Sequence, residues 1–223
     1  DIPLTDAGKN GTPTIAVREN DNNIMAETFR SLRTNLLFIM GDPDKKVILV
    51  TSTISGEGKT FMASNLAVSL ALLGKKVILV GLNKIFHLSH KEKGITQYLA
   101  APQSTDLHAL IQPSGITSNL DLLLGGPIPP NPTELLARQS LEDTISTLRK
   151  EYDYIVLDTA PIGMVTDTLI LSRVADASIY VCRADYTHKT DYQLINELQE
   201  HHRLPNLCTV VNGIDMKKKK YGY

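Results

Sequence analysis

The sequence predicts an α/β domain in which a parallel sheet is flanked by helices on both faces. Apolar runs of strand length alternate along the chain with stretches of helical periodicity. The runs are apolar throughout, as expected for strands that are covered on both sides. The expected strands are 47–52, 77–81, 120–124, 154–158, 178–182 and 207–212. The expected helices are 24–40, 59–73, 133–150, 166–173 and 189–202.

Length and composition are those of a single globular domain. The chain has 223 residues, of which 42% are hydrophobic. Residues 1–23 are polar and are expected to form a linker or N-terminal arm, followed by the domain at 24–215 and by the start of a flexible Lys/Tyr-rich tail at 216–223. The formal net charge of −1 gives no argument for a nucleic-acid partner, and none is expected.

The most informative segment follows the first expected strand and reads Thr53-Ile54-Ser55-Gly56-Glu57-Gly58-Lys59-Thr60. Its glycines let the backbone fold around an anion with the N–H groups pointing inward, and the positive end of the next helix faces the same anion. A lysine in this position reaches the β- and γ-phosphates, and the hydroxyl after it binds Mg²⁺. The usual pattern has Gly or Ala where this chain has Thr53. The segment predicts a P-loop that binds the phosphates of a nucleotide through Ser55, Gly56, Glu57, Gly58, Lys59, Thr60 and Phe61.

A second part of the same site is predicted at the end of the apolar run Tyr154–Asp158. An aspartate at the carboxyl end of a parallel strand beside a P-loop holds Mg²⁺ or its water shell. Such an aspartate also commonly caps a turn, but the P-loop upstream favours the metal role. We therefore expect Lys59, Thr60 and Asp158 to be catalytic, with Thr60 and Asp158 as the magnesium ligands.

Asn212 ends the last expected strand and is followed by Gly213. An amide side chain offers both donors and an acceptor, so Asn212 is a candidate contact for the adenine edge of the nucleotide. An Asn-Gly pair equally forms a simple turn, and the sequence leaves both interpretations open.

These residues together resemble the cytoplasmic domain of the bacterial tyrosine kinases (BY-kinases) of capsule and exopolysaccharide export, over nearly the whole chain. Glu27, Arg30 and Arg33 match that family's Glu-x-x-Arg-x-x-Arg helix. Charges at i, i+3 and i+6 form one stripe on a helix, and in the family this stripe mediates ring-shaped self-association. A solvated helix face is the alternative.

The resemblance implies an ATP- and Mg²⁺-dependent tyrosine kinase that phosphorylates itself in trans and regulates polysaccharide synthesis and export. The family carries a C-terminal tyrosine cluster as the phosphoacceptor, and Tyr221 and Tyr223, behind four lysines, look like its beginning. The implied partners are further copies of the chain in a ring, a membrane-spanning portion or membrane adaptor, and a tyrosine phosphatase. The implied location is the cytoplasmic side of the bacterial inner membrane.

One departure from the family concerns the residues after the second expected strand. There the family has an Asp-x-Asp-x-Arg motif, or a single Asp-x-Arg, that contacts Mg²⁺ and activates the tyrosine hydroxyl. In this chain Leu82 leads directly to Asn83-Lys84-Ile85-Phe86-His87, which contains neither aspartate nor arginine. Either the motif is lost or several residues between Leu82 and Asn83 are missing from the sequence, and we favour the second explanation.

Two other functions are compatible with the same type of fold, a P-loop NTPase like the partition ATPases. A partition or septum-positioning ATPase usually has an additional lysine at the start of its P-loop, where this chain has Ile54. A nucleotide-binding assembly scaffold without kinase activity becomes the better interpretation if the Asp/Arg motif is truly absent.

Overall fold

The computed structural model describes residues 1–4, 15–81, 93–127 and 129–216. The strands are β1 (Val47–Ser52), β2 (Val77–Gly81), β3 (Ile111–Pro113), β4 (Leu120–Leu124), β5 (Tyr154–Asp158), β6 (Ala177–Arg183) and β7 (Leu207–Asn212). The helices are α1 (Ile24–Met40), α2 (Lys59–Ala71), α3 (Ile95–Ala100), α4 (Pro132–Leu136), α5 (Gln139–Glu151), α6 (Asp167–Leu171) and α7 (Asp191–Glu200).

The described strands form one seven-stranded sheet in the order β3-β4-β2-β5-β1-β6-β7. All neighbours are parallel except β3 and β4. The predicted fold class is confirmed, and β1, which leads into the P-loop, lies between β5 and β6. Pairing of Val50 with Asp158 brings the carboxyl ends of β1 and β5 to the same edge, where the predicted site residues meet. The edge strand β3 was not predicted, because it has three residues and one is a proline.

Each face of the sheet has its own apolar core. Ile48 and Val50 of β1 face a cluster that includes residues of α1 and α2. Val47 and Leu49 face the opposite cluster, which includes residues of α5, α6 and α7. Successive side chains of a strand point to opposite faces, so the uniformly apolar runs of the sequence correspond to strands buried on both sides. Full burial of one such side chain contributes about 1.5–3 kcal/mol.

The expected helix at 133–150 is two helices, because the chain leaves the helical conformation at Arg138. This residue has φ −72° and ψ 155°. The exposed carbonyl groups at the break are bound by the side chain of Arg173, whose Nη2 lies 3.0 Å from the oxygen of Leu136 and 3.1 Å from that of Arg138. The Leu136 carbonyl group lies at the end of α4, where helix termination removes the next N–H donors, whereas the Arg138 carbonyl group also accepts from the Leu141 N–H.

The described parts of the segment 1–23, expected as a linker or arm, pack against the domain. The Ile2 N–H donates to the Val211 oxygen at 2.7 Å, and the Ile2 side chain is buried. Farther along, the N–H groups of Ala16 and Val17 both donate to Asn65 Oδ1 on α2. These contacts extend the sheet edge at β7 and cover part of α2.

Two sequence predictions fall outside the described residues. They are the possible gap between Leu82 and Asn83 and the tail tyrosines Tyr221 and Tyr223. Among the helices that the structure does describe, none has both the length and the apolar character needed to cross a membrane.

Candidate active site

The loop between β1 and α2 has the backbone conformation of a phosphate cradle. Gly56 and Gly58 have φ values of 91° and 96°, a region that residues with a Cβ rarely adopt. A Cβ on Gly58 would also lie 2.1 Å from Asn212 Nδ2. Both glycines are therefore required by the conformation of the loop, and α2 begins directly behind it at Lys59.

The predicted catalytic residues converge at the carboxyl edge of the sheet. The Thr60 hydroxyl donates to Asp158 Oδ2 at 2.9 Å, which joins the first turn of α2 to the end of β5. Lys59 is 7% exposed and Asp158 is fully buried. The structure thus brings the adjacent residues Lys59 and Thr60 together with Asp158, which lies about a hundred positions later in the sequence.

Burial shifts the pKa values of both charged groups toward their neutral forms. It raises the pKa of Asp158 to about 7, against the opposing effects of the Thr60 hydrogen bond and the nearby Lys59 charge. The pKa of Lys59 is lowered by the same desolvation, which Asp158 and Glu57 partly offset. A cation bound at Asp158 would stabilise the ionised carboxylate there.

The donor set at Asp158 fits a magnesium ion. Asp158 Oδ1 is buried and has no hydrogen-bond partner among the described residues. A carboxylate oxygen beside a threonine hydroxyl is the hard oxygen donor set that Mg²⁺ prefers, completed by water and phosphate oxygens. Thr60 and Asp158 are therefore suited to hold a metal ion, and their role as magnesium ligands stays a prediction.

Thr53, which departs from the usual P-loop pattern, is accommodated by a tyrosine on β6. Its Oγ1 and the Tyr180 hydroxyl lie 2.8 Å apart, and both residues are buried. The polar atom that replaces the usual small residue is thereby satisfied, as a buried hydroxyl must be. The departure therefore leaves the P-loop conformation intact.

Glu57 and Phe61 use their side chains to build the site. Glu57 is fully buried; its Oε2 accepts from the Ile54 N–H at 2.8 Å and its Oε1 from the Thr187 hydroxyl. The Phe61 ring packs edge-on against Phe29 of α1, with 5.9 Å between the ring centroids. Any contact of Glu57 or Phe61 with the nucleotide would therefore be made by the backbone N–H group of the residue.

Asn212 contacts the P-loop. Its Nδ2 donates to the Glu57 carbonyl oxygen at 3.0 Å, so this donor holds the loop that is predicted to bind the phosphates. The predicted contact between Asn212 and adenine stays a prediction.

Two further residues contact the P-loop without any sequence signal. Arg183, at the end of β6, donates to the carbonyl oxygen of Gly56, and Tyr186, three residues later, donates to that of Ser55. Neither belongs to a recognisable motif, and only the position of β6 beside β1 reveals their role.

The residues of the predicted self-association stripe lie on α1. Two of them pair with each other on the helix surface, and the third contacts α2. Glu27 and Arg30 form an ion pair of 2.9 Å on the helix surface, and Arg30 also binds the Asp21 carbonyl oxygen. Arg33 donates to the Ser69 carbonyl oxygen on α2. Burial and the neighbouring Arg30 lower the pKa of Arg33. Arg33 is therefore engaged within the domain, and Glu27 is the most exposed of the three charges.

The fold and the site together define a P-loop domain for magnesium-dependent reactions of nucleoside triphosphates. Comparison with known proteins narrows this class. A family model described as an AAA domain matches residues 45–207. The chain is 37% identical to the tyrosine-protein kinase CpsD of Streptococcus pneumoniae, over 88% of this chain and 87% of that protein.

A solved structure of a tyrosine kinase domain and one of a septum-positioning protein both share the fold of this chain. The kinase domain of the Escherichia coli tyrosine kinase ETK superposes with a TM-score of 0.83 at 26% identity, covering 100% of this chain and 93% of that one. The septum site-determining protein MinD of Pyrococcus horikoshii, complexed with Mg-ADP, has a TM-score of 0.56 at 20% identity, over 73% and 68% of the two chains. The second likeness concerns the fold alone. The chain belongs to the family of bacterial tyrosine kinases.

Proposed function

We propose that this domain transfers the γ-phosphoryl group of ATP to tyrosine side chains of further copies of the same chain. The contact between Thr60 and Asp158, with Asp158 Oδ1 left unpaired beside the P-loop, is the observation that supports this most. Membership of the bacterial tyrosine kinase family supports the choice of tyrosine as the acceptor.

Phosphoryl transfer depends mainly on positioning and on charge stabilisation, and the described residues supply both. The P-loop N–H groups and Lys59 bind the β- and γ-phosphates and offset their charge. Thr60 and Asp158 would hold Mg²⁺. The bound metal would offset the negative charge that develops on the phosphate oxygens during transfer. The partly buried site strengthens these interactions because few water molecules screen them.

The acceptors proposed are Tyr221 and Tyr223 of another subunit. A phenol has a pKa of about 10, so its reaction is assisted by a group that takes the proton. In the family this group belongs to the Asp/Arg motif expected between Leu82 and Asn83. Sequencing of the gene across this junction decides whether the motif is encoded; continuous coding there would favour the scaffold alternative.

Incubation with ATP and Mg²⁺, followed by detection of phosphotyrosine and of free phosphate, tests the proposed activity. A kinase yields phosphotyrosine. A partition-type ATPase yields free phosphate alone, and a nucleotide-binding scaffold yields neither product. Absence of phosphotyrosine with a full-length, correctly encoded chain would contradict the proposal.

Transfer between subunits is tested by mixing two variants. Lys59→Met retains the acceptor tyrosines but lacks the phosphate-binding cation. The double variant Tyr221→Phe/Tyr223→Phe retains the site but lacks the proposed acceptors. Phosphotyrosine at Tyr221 or Tyr223 of the Lys59→Met chain in the mixture, and none in that chain alone, is the expected result. Phosphorylation confined to other tyrosines would reject the tail as the acceptor.

We further propose that Glu27, Arg30 and Arg33 belong to a ring-forming interface that phosphorylation weakens. Each phosphate adds about −1.5 to −2 charges, which offsets much of the positive charge of the Lys217–Lys220 segment. Light scattering before and after phosphatase treatment should show the larger assembly in the dephosphorylated form. Substitution of Glu27 by Gln should weaken the assembly, whereas Glu142→Gln, on α5, should leave its size unchanged.

The cellular role proposed is regulation of capsule or exopolysaccharide synthesis and export at the cytoplasmic side of the bacterial inner membrane. The family resemblance supports this role, together with the implied membrane-spanning portion or adaptor and tyrosine phosphatase. Within the chain, 24–215 is proposed as the kinase domain and 216–223 as the start of the acceptor tail. Loss of polymer export in a strain with Lys59→Met, at unchanged protein level, tests the role.

A further inference from the structure

Two side chains, one at the end of β6 and one just after it, bind successive carbonyl groups of the P-loop from outside. The Tyr186 hydroxyl donates to the Ser55 carbonyl oxygen at 3.0 Å. Arg183 Nη1 donates to the Gly56 carbonyl oxygen at 2.9 Å. The Arg183 guanidinium also lies over the Tyr186 ring, 5.2 Å from its centroid, so the two side chains support each other.

Peptide geometry converts these contacts into an orientation of the phosphate-binding donors. In a trans peptide the C=O and the following N–H point in opposite directions, and the described residues contain no cis peptide bond. Outward carbonyl groups on Ser55 and Gly56 therefore direct the N–H groups of Gly56 and Glu57 toward the inside of the loop. Tyr186 and Arg183 hold in place two of the donors that face the phosphates.

The loop needs such support because its own backbone is permissive. Ser55 and Gly56 are exposed, and Gly56 has φ 91°, in a region where glycine moves readily to other conformations. On the inner side the loop is held by the buried Glu57 carboxylate. On the outer side the contacts at Ser55 and Gly56 come from Tyr186 and Arg183.

We propose that Arg183 and Tyr186 are positioning residues that pre-organise the P-loop for ATP, an inference that rests on ATP being the nucleotide bound. A loop that already presents its N–H groups inward loses less conformational freedom when the phosphates bind. Neither residue touches the reacting atoms. Their removal weakens ATP binding through the orientation of the peptide groups.

An alternative is that Arg183 simply attracts the negative nucleotide by its charge. Lys189 lies on the connection between β6 and α7, like Tyr186. It is exposed, as Arg183 is, so Lys189→Gln removes an equal charge as a matched control. Tyr192→Phe controls for Tyr186→Phe, because it removes a tyrosine hydroxyl on α7 that is hydrogen-bonded with Cys182 of β6. Arg183→Lys keeps the charge but lacks the planar, rigid guanidinium fork.

The experiment measures the dissociation constant of a non-hydrolysable ATP analogue with Mg²⁺ by calorimetry, and the melting temperature with and without this nucleotide. Tyr186→Phe should raise the dissociation constant about fivefold, the effect of one lost hydrogen bond. Arg183→Gln should raise it about tenfold, because its hydrogen bond is charge-assisted. Both variants should melt like the wild type without nucleotide and show a smaller increase when the analogue is added. Lys189→Gln and Tyr192→Phe should bind within about twofold of the wild type.

Several results would overturn the inference. Affinity for the analogue unchanged in both Tyr186→Phe and Arg183→Gln would exclude a positioning role. Equal losses in Arg183→Gln and Lys189→Gln, with Arg183→Lys behaving as the wild type, would show that charge alone acts. A lower melting temperature without nucleotide, and an unchanged increase with the analogue, would show a purely structural role. Because a non-hydrolysable analogue binds without phosphoryl transfer, failure of the proposed kinase activity would appear separately, as normal affinity for the analogue without phosphotyrosine when ATP is supplied.

Discussion

The Thr60 hydroxyl donates a hydrogen bond of 2.9 Å to Asp158 Oδ2, although 98 positions separate the two residues in the sequence. The bond joins the first turn of α2, which is predicted to bind phosphate, to the end of β5, which is predicted to bind the metal. It leaves Asp158 Oδ1 buried and, within the described part of the chain, without a hydrogen-bond partner. Substitutions at this edge of the sheet should therefore separate stability from activity.

Lys59→Met should abolish tyrosine phosphorylation while leaving the domain folded. Methionine fills the space of the lysine stem but carries no charge to offset the phosphates, so ATP binding should also weaken. Phosphotyrosine detection and ATP titration measure the two effects. Lys150→Met, an exposed position on α5, is the matched control and should retain activity. Phosphorylation at the wild-type rate by Lys59→Met would refute the assignment of this residue.

Asp158→Asn should make the nucleotide-free domain more stable at pH 8 but abolish Mg²⁺-dependent ATP binding. Burial raises the pKa of Asp158 to about 7, whereas an unfolded aspartate ionises near pH ~4. The folded state therefore binds this proton more tightly, and Asp158 reduces stability progressively as pH rises from about 4 to about 7. Asparagine removes that cost.

The expected measurement is a set of melting temperatures between pH 5 and pH 8, a range chosen about the carboxyl pKa. The melting temperature of Asp158→Asn should exceed that of the wild type by several degrees at pH 8. The difference should shrink toward pH 5, where the carboxyl group of the folded wild type is largely protonated. A constant difference across the whole range would contradict the assignment of the raised pKa to Asp158.

Gly58→Ala should abolish ATP binding. The added Cβ would lie 2.1 Å from Asn212 Nδ2, in a backbone with φ 96°. Gly74→Ala is the matched control, since Gly74 has φ 81° but open space around its Cβ position. The control should lose about 1 kcal/mol of stability to backbone strain and keep its ATP affinity. Comparable loss of ATP binding in both variants would show that the clash at Asn212 is not the cause.

Thr53→Val should destabilise the domain by about 1–3 kcal/mol, because it leaves the buried Tyr180 hydroxyl without this hydrogen bond. Tyr180→Phe should cost less in the Thr53→Val background than in the wild type. Urea unfolding of the four variants in a double-mutant cycle measures the difference, expected at about 1 kcal/mol. Additive effects would mean that the two hydroxyls do not stabilise each other.

Much of the fold could be predicted from local pattern. The runs at 47–52 and 154–158 are apolar at every position until the polar end, a pattern with few interpretations other than a buried parallel strand. Weak or short patterns were missed, as at β3, which has three residues. The break at Arg138 was also missed, because its partner Arg173 is distant in the sequence.

By itself, the sequence determined which chemistry the site can perform. Glycines before Lys59 and Thr60, and a carboxylate at the end of a strand, are local patterns whose chemical requirements can be read residue by residue. Only the tertiary structure decided which groups support that chemistry, namely that Asn212, Arg183 and Tyr186 hold the carbonyl groups of the loop. The reason is physical: these contacts depend on the order of strands in the sheet, which places β6 beside β1 and β7 next to β6, and no local pattern encodes that order.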